Sequence, residues 1–161
     1  MSLSIRSVTK DNWRALIKLQ VREDQKNFVA SNVFSIAEAQ FGDDFDGYHW
    51  DLHPFGIYDG DTPVGFLMYC YNFEHPTQQA FIMRLMVDEK FQGKGYGRFG
   101  MEKMLEIFRA DERIKEMGIS YEPENDAARK LYASLGFVET GRIIEGEAEA
   151  VLKLQPDFGS F

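Results

Sequence analysis

The stretch Gln92-Gly93-Lys94-Gly95-Tyr96-Gly97-Arg98 is a glycine-rich turn between an apolar, strand-like run and an amphipathic helix. Three glycines within five residues allow a tight turn with positive φ, so that successive backbone N–H groups converge on one anion beside the positive end of the helix. The side chains of Lys94 and Arg98 add positive charge there, unless both are simply solvated. The turn therefore predicts a cradle for a phosphate group.

Two other phosphate-binding loops compete with this interpretation. A nucleoside-triphosphate loop requires Gly, four further residues and then Gly-Lys-Ser/Thr, and the turn lacks that pattern. A dinucleotide fingerprint does match over 95–100, with Glu116 or Glu122 about 20 residues further on. However, the charged stretch 88–92 separates the strand from that first glycine, and the unit follows an antiparallel hairpin in mid-chain. The dinucleotide interpretation is therefore the weaker one.

A second motif lies further along the chain. The segment Asn125-Asp126-Ala127-Ala128-Arg129-Lys130-Leu131-Tyr132 is followed by Leu135-Gly136-Phe137. This segment and the turn 92–97 together resemble the GCN5-related N-acetyltransferase (GNAT) superfamily, whose motifs are Gln/Arg-x-x-Gly-x-Gly/Ala and Asn-x-x-Ala-x-x-Leu-Tyr followed by Gly-Phe. The resemblance implies an N-acetyltransferase fold and activity, with acetyl-coenzyme A (acetyl-CoA) as the acetyl donor.

The hydrophobic periodicity predicts strand, helix, helix, three strands, helix, strand, helix and two strands. The predicted strands are 3–8, 54–58, 63–71, 79–87, 117–121, 137–144 and 149–154, and the helices begin near Thr9, Ser35, Gly97 and Asn125. This order predicts an α/β (α+β) protein with the GNAT fold, a mixed and mostly antiparallel sheet of about seven strands flanked by about four helices. We expect a single domain, 1–154, and a C-terminal tail, 155–161.

Composition limits the classes of partner. The 161 residues carry a net charge of −8, which disfavours nucleic acid and favours a small cationic partner. No apolar run approaches the roughly 20 residues of a membrane helix, and the first residues lack a signal-peptide block, so a cytoplasmic location without membrane association is expected. Cys70 is the only cysteine, so no cysteine-based zinc site can form. His49 and His53 have the i, i+4 spacing of a helical ligand pair, but Pro54 and the surrounding aromatic residues argue against a helix there, and His75 does not complete a ligand set, so we expect no metal.

The resemblance also implies a set of cofactor-binding residues. In the family, the main chain of the strand before the turn pairs with the pantetheine arm, and the amides of the turn bind the diphosphate. Asn125 occupies a family position that contacts the cofactor arm, although it is equally suited to cap the helix that it begins. The full predicted set is Leu85, Met86, Val87, Gln92, Gly93, Lys94, Gly95, Tyr96, Gly97, Arg98 and Asn125.

Tyr132 is the predicted general acid. In similar enzymes a tyrosine at this position donates a proton to the thiolate that leaves when the amine attacks, whereas the alternative is a helical tyrosine packed on the core. The acceptor amine is protonated at neutral pH and must first lose a proton. Glu23, Asp24 or a carboxylate acting through water are the candidates for that base, because no family motif identifies it.

The region expected to select the acceptor is acidic. In this superfamily the acceptor is set by the first two helices, their loop and the last hairpin, and here these carry many carboxylates, including Glu145, Glu147 and Glu149. A solvated acidic face is the alternative explanation. Segments 25–32, 54–68 and 84–97 also resemble bacterial spermine/spermidine (diamine) acetyltransferases. The predicted acceptor-site residues are Glu23, Asp24, Tyr48, Trp50, Asp51 and Arg84.

These observations predict acetyl transfer to a primary amine of a polyamine, spermine or spermidine, by direct attack in a ternary complex. Two alternatives stay open. One is acetylation of another cationic amine, such as an aminoglycoside, an amino-acid derivative or a protein N-terminus, and the other is a non-catalytic acetyl-CoA sensor. We also expect a homodimer, because similar proteins often dimerise and Phe158 and Phe161 in the tail would suit an interface.

Overall fold

The structure is a computed structural model that describes residues 2–155. Within this range the chain forms an eight-stranded sheet, four α-helices and two short 3₁₀ turns. The strands are β1 Leu3–Ser7, β2 Asp43–Phe45, β3 Tyr48–Asp59, β4 Thr62–Tyr71, β5 Ala80–Val87, β6 Glu116–Tyr121, β7 Val138–Ile144 and β8 Glu147–Lys153. The helices are α1 Trp13–Leu16, α2 Asn32–Ala39, α3 Tyr96–Arg109 and α4 Asp126–Ser134, and the 3₁₀ turns are Glu23–Gln25 and Glu89–Phe91.

The strands are ordered β1-β3-β4-β5-β6-β8-β7, and β2 pairs with the start of β3. All neighbouring strands of the described chain are antiparallel except β5 and β6, whose parallel pairing requires a crossover, here made by α3. This parallel pair is short. It joins three residues of each strand, 80–82 with 117–119, and the two strands then diverge. A wedge-shaped gap therefore opens at the carboxyl ends of both strands.

Helices cover both faces of the sheet. Successive residues of β4 face opposite sides, as expected for a strand: Leu67 packs in the cluster that includes Met101, Met104 and Phe108 of α3, whereas Phe66 packs in the cluster of Trp50. The predicted fold class is therefore confirmed, with helices on both faces of a mostly antiparallel sheet. The tail residues 156–161, including Phe158 and Phe161, lie outside the described residues.

Three predicted elements differ in the structure. The first helix begins at Trp13 rather than near Thr9, and it ends at Leu16. The second helix begins at Asn32 rather than Ser35, because the hydroxyl of Ser31 accepts a hydrogen bond from the Phe34 N–H and caps the helix one turn earlier. The strand predicted to begin at Pro54 begins at Tyr48 and is preceded by β2. The turn between β2 and β3 consists of Asp46 and Gly47, both with positive φ, a two-residue hairpin signal that the sequence does contain.

The contact between β4 and β5 provides a test of this packing. A methyl group added at Gly65 would lie 2.6 Å from the Met86 carbonyl oxygen, so Gly65→Ala must push the two strands apart. We expect it to lower the free energy of unfolding by roughly 2 kcal/mol, measured by urea denaturation.

Gly118→Ala is the matched control. Its added methyl would collide with the Gln78 amide, and that amide is the end of a flexible side chain that can move aside. We expect a smaller loss of stability for Gly118→Ala. Equal losses for the two variants would contradict the described register of β4 and β5.

Candidate active site

A cleft of about 620 Å³ lies where β5 and β6 diverge. One wall is the segment 25–30 between the first 3₁₀ turn and α2, and the floor is β5 from Ile82 to Val87. The opposite wall combines residues 119–122 at the end of β6, the first two turns of α4, and the β7–β8 hairpin. The cleft is therefore bounded by three regions that are distant in sequence.

The glycine-rich turn forms one end of this cleft. Gly93 and Gly95 have φ values of +77° and +88°, which side chains rarely adopt. No side chain of the described residues caps α3, and helix geometry leaves the first N–H groups of α3 without intrahelical partners. Between residues 2 and 155, nothing lies within 4 Å of a methyl group added at Gly93 or Gly95, so this part of the structure leaves the surface of the turn open. This arrangement fits an anionic group such as a diphosphate.

The side chains of the turn have mainly structural partners. The Tyr96 hydroxyl donates a hydrogen bond to Asp59 Oδ2 at 2.6 Å, which lowers the pKa of that carboxyl and fixes the start of α3 on the end of β3. Arg98 donates to the Ser134 hydroxyl and lies 3.6 Å from a Glu102 oxygen. The Lys94 ammonium lies 5.7 Å from the centre of the Phe91 ring. The backbone of the turn is therefore better placed than its side chains to bind an anion.

The outer half of β5 presents an open edge to the cleft. Leu85, Met86 and Val87 pair with β4 on one side, but no strand of the described chain pairs with them on the β6 side. All three residues line the cleft. Backbone groups on this edge are available to a ligand that carries amides of its own.

Tyr132 lies in the wall opposite the segment 25–30. It lines the cleft, its side chain is buried, and its ring contacts those of Tyr121 and Phe137. Burial raises the pKa of the phenol well above its ordinary value, and the negative charge of Glu147 is the second cause of this shift. The hydroxyl has no hydrogen-bond partner among residues 2–155, so a ligand in the cleft can bind it.

Asn125 has the capping role that its motif position allows. Its side-chain oxygen accepts a hydrogen bond from the Ala128 N–H at 3.2 Å and so caps α4. The residue also lines the cleft. Contact between Asn125 and the cofactor arm stays a prediction.

Three carboxylates line the cleft on the side of Tyr132: Glu122, Glu145 and Glu147. The Glu147 carboxylate accepts a hydrogen bond from the Ser120 hydroxyl at 3.1 Å. Burial raises the pKa of Glu147, and the nearby charges of Glu122 and Glu145 act in the same direction. The Ser120 hydrogen bond and the positive charge of Arg84 oppose this shift.

The sequence identified the glutamates of the last hairpin as an acidic group, but it did not predict that Glu145 and Glu147 line the same cleft as Tyr132. The conformation of the hairpin turn could have indicated this. Glu145 and Gly146 both have positive φ and form a two-residue turn, so Ile144 and Glu147 face each other across the hairpin. Glu149 is buried instead, and its carboxylate accepts a hydrogen bond from Thr140.

Several predicted acceptor-site residues lie outside the cleft lining. The carboxylates of Glu23 and Asp24 are exposed and pair with Lys26 at 2.6 Å and Arg22 at 3.2 Å. These local ion pairs direct both carboxylates to solvent rather than into the cleft.

The β3 positions are also displaced from the cleft. Trp50 is only 1% exposed, its ring stacks on Phe45 at 4.5 Å, and its indole N–H donates to the Phe45 carbonyl oxygen. It is a core residue. Tyr48 and Asp51 lie on the same strand and do not line the cleft. The sequence predicts no strand in the region directly before Pro54, so it does not place these positions on a strand.

Arg84 does line the cleft, and it has a partner that the sequence did not indicate. Its guanidinium donates to Glu38 of α2 at 3.1 Å and to the Met83 carbonyl oxygen at 2.9 Å. Both charged side chains are mostly buried. The pair therefore joins α2 to β5 beneath the cleft.

The geometry of the cleft agrees with a comparison against protein families. The family model described as Acetyltransferase (GNAT) family matches residues 13–137. The chain belongs to this family. Membership confirms the predicted N-acetyltransferase class and acetyl-CoA as the acetyl donor. The acceptor is not fixed by membership.

Individual relatives agree with this assignment. The chain is 28% identical to the spermine/spermidine N(1)-acetyltransferase of Bacillus subtilis (strain 168) over 159 residues, which cover 96% of this chain and 100% of that protein. Its fold is similar to that of a spermidine N-acetyltransferase from Vibrio cholerae in complex with CoA and spermine, with a TM-score of 0.71, 17% identity, and 95% and 96% of the two chains covered. It is also similar to the PaiA N-acetyltransferase from Thermoplasma acidophilum in complex with coenzyme A, with a TM-score of 0.66, 16% identity, and 95% and 99% covered.

Two further properties concern the described residues only. Between residues 2 and 155 no helix is long and apolar enough to cross a membrane. The same residues contain no group of three or more His, Cys, Asp or Glu side chains arranged to hold a metal ion. The predicted cytoplasmic location and homodimer stay predictions.

Proposed function

We propose that this protein transfers the acetyl group of acetyl-CoA to a primary amine of spermine or spermidine, by direct attack of the amine in a ternary complex. The observation that carries the acceptor class is the group of three carboxylates, Glu122, Glu145 and Glu147, on the Tyr132 side of the cleft. A flexible polycation matches a row of carboxylates in a partly buried groove, where charge interactions are less screened than at the surface. The named function of the Bacillus subtilis relative and the spermine bound to the Vibrio cholerae protein support this choice.

The donor end of the cleft is formed by backbone. The N–H groups of the turn and of the first turn of α3 bind the diphosphate, and the open edge of β5 pairs with the pantetheine arm. Acetyl-CoA supplies the acetyl group as an activated thioester. A main-chain N–H of β5 stabilises the negative charge that develops on the thioester oxygen during attack.

Glu147 is the base that takes the proton from the amine, directly or through one water. Its carboxylate lines the cleft beside Tyr132, whereas the carboxylates of Glu23 and Asp24 do not. Burial raises its pKa toward neutrality, which makes it a better proton acceptor than an ordinary glutamate. The Ser120 hydroxyl orients the carboxylate by its hydrogen bond.

Tyr132 supplies a proton to the other side of the reaction. Because burial raises the pKa of the phenol, the hydroxyl stays protonated throughout the neutral range and can donate to the leaving sulfur. The N–C bond forms and the C–S bond breaks. The acceptor ammonium loses two protons on its way to the amide. The first passes to Glu147 before attack and leaves to solvent, and the second passes from the nitrogen through Glu147 to the Tyr132 phenolate, which has given its own proton to the thiolate. One proton is therefore released for each acetyl group transferred, and charge is conserved.

The acceptor class is tested by a direct comparison of amines. Release of free coenzyme A from acetyl-CoA is measured with spermine, spermidine, putrescine, an aminoglycoside and a lysine-containing peptide. We expect spermine or spermidine to have the highest kcat/KM, and this value to fall as salt is added because salt screens the attraction to the carboxylates. Turnover led by the aminoglycoside or the peptide would overturn the polyamine proposal and leave the family assignment intact.

Removal of the Tyr132 hydroxyl separates an enzyme from a sensor. Tyr132→Phe is expected to lower kcat by about 100-fold or more, since the proton donor is lost while the ring stays in place. The affinity for coenzyme A, measured by calorimetry, should stay unchanged. Tyr58→Phe, at another buried tyrosine outside the cleft, is the control. Equal kcat values for the two variants would exclude Tyr132 as the acid.

The pH profile tests the role of Glu147. Only its ionised form accepts a proton, so the wild-type rate should fall as pH drops through the raised pKa of this carboxyl. Glu147→Gln is expected to lower kcat by about 100-fold at pH 7 and to abolish that acidic limb. The remaining rate should rise with pH toward the pKa of the amine itself, about 10.

Glu145→Gln is the matched control for charge, because it removes one carboxylate from the same hairpin. We expect Glu145→Gln to raise the KM for the amine and to keep the acidic limb. If Glu147→Gln also raised only KM and kept the limb, Glu147 would bind the amine without serving as its base.

A further inference from the structure

We infer that Gln25 and Gln92 are positioning residues, which join two parts of the cleft. One part is the acceptor wall, residues 25–30, which faces Tyr132 and the carboxylates Glu122, Glu145 and Glu147 across the cleft. The other part is the phosphate cradle, residues 92–97. As a consequence, acetyl-CoA and the amine bind with positive coupling. The identity of the amine rests on the proposed function, but the link between the two parts of the chain does not.

The acceptor wall has little structure of its own. Among the N–H groups of its residues, Gln25, Lys26 and Phe28 donate within the local turn, and Asn27, Val29 and Ala30 have no hydrogen bond to described residues. A segment with so few hydrogen bonds depends on the points at which it is attached.

The acceptor wall is attached at both ends. At its far end the buried side chain of Asn32 donates to the Leu16 carbonyl oxygen at 2.9 Å. At its near end it is attached through Gln25.

The near attachment is a pair of side-chain amides. Gln92 Nε2 donates to Gln25 Oε1 at 2.9 Å, and Gln25 Nε2 lies 3.4 Å from Gln92 Oε1. Arg22 also donates to Gln92 Oε1 at 2.8 Å, and Gln92 Nε2 donates to the Val87 carbonyl oxygen at 3.0 Å. The side chain of Gln92 is therefore engaged by the acceptor wall and by β5, while its backbone begins the phosphate cradle.

A second attachment lies next to this pair. The Gln20 N–H donates to Asp88 Oδ2 at 2.9 Å, and the Glu89 N–H donates to the Gln20 carbonyl oxygen at 2.8 Å. Asp88 is buried, and its other oxygen accepts from the Lys90 N–H. Residues 20–25 are thus held to residues 87–92 by backbone and side-chain hydrogen bonds together.

Positive coupling follows from this connection. A ligand that fixes the backbone of the phosphate cradle also restricts Gln92 and, through the amide pair, Gln25 and the acceptor wall. The second ligand then meets a wall that is already ordered and has less conformational entropy to lose. Coupling of this kind is typically about 5-fold to 150-fold in affinity and is reciprocal between the two ligands.

Gln25→Met tests the connection, because methionine has a similar length and no amide. Hydrogen exchange of residues 21–30 is measured by mass spectrometry with and without coenzyme A. We expect coenzyme A to protect this segment in the wild-type protein and to protect it much less in Gln25→Met. Gln40→Met is the control, because the Gln40 amide donates only within its own helix, to the Ile36 carbonyl oxygen.

Kinetics provide a second readout. Because the coupling is reciprocal, Gln25→Met is expected to raise the KM for the amine at saturating acetyl-CoA, and the KM for acetyl-CoA at saturating amine, by the same factor of about 5-fold or more. The value of kcat and the affinity for coenzyme A without amine should stay nearly unchanged. Arg22→Met removes one bond to Gln92 from outside the cleft lining and should give a smaller effect in the same direction. If Gln25→Met does not fold, Arg22→Met is used in its place for both the exchange and the kinetic measurements.

The outcomes separate this inference from the proposed function. The exchange experiment needs only coenzyme A, so it stands even if no polyamine is acetylated. Equal protection of residues 21–30 by coenzyme A in the wild-type protein, Gln25→Met and Arg22→Met would overturn the connection. An absence of protection by coenzyme A in the wild-type protein would overturn it as well. A loss of coenzyme A affinity in Gln25→Met, measured without amine and as large as the loss of amine affinity, would show that the pair only supports the phosphate cradle.

Discussion

The short parallel pairing of β5 and β6 is the constraint on which the rest of the structure depends. After three paired residues the strands diverge, so that the outer half of β5 has an edge without a strand partner in the described chain. The crossover through α3 brings a helix N-terminus to the end of β5, beside that open edge. Buried backbone groups need hydrogen-bond partners. The fold therefore creates a binding surface of main-chain N–H and C=O groups. Because this surface uses no side chains, the side chains of β5 can pack in the core.

Charge divides the cleft into two ends. The donor end carries the positive end of α3 and open glycines, and the other end carries Glu122, Glu145 and Glu147. A donor with an anionic diphosphate and an acceptor with cationic amines would enter in opposite orientations, and their reacting groups would meet near Tyr132. Burial contributes to the same arrangement, because it raises the pKa of both Tyr132 and Glu147. A raised pKa suits both roles in the proposed function, since it keeps the phenol protonated and makes the carboxylate more basic.

The sequence was most informative where the structure depends on local backbone conformation. Gly93 and Gly95 have the positive φ that their spacing predicts, and Asn125 caps α4 as its position predicts. It was least informative where tertiary packing decides the direction of a side chain. The sequence does not show which of Glu23 and Glu147 lies in the cleft. A local ion pair directs Glu23 to solvent, whereas a hairpin turn directs Glu147 into the cleft. Trp50 was predicted in the acceptor site rather than in the core because the hairpin formed by β2 and β3 was not predicted.

The connection between the acceptor wall and the phosphate cradle has a consequence for how the cleft is built. The wall is fixed at Gln25 and Asn32, and the residues between these points make few hydrogen bonds with the rest of the described chain. Apart from Val29, which packs against the core cluster that contains Met86 of β5, their side chains can therefore change with little effect on the phosphate cradle. The amide of Gln92 suits this arrangement because it can donate to Val87 and Gln25 and accept from Arg22 at once. In the proposed function, donor binding and acceptor selection thus use separate parts of the chain. These parts are joined by the Gln25–Gln92 pair and, next to it, by the hydrogen bonds of Gln20 with Asp88 and Glu89.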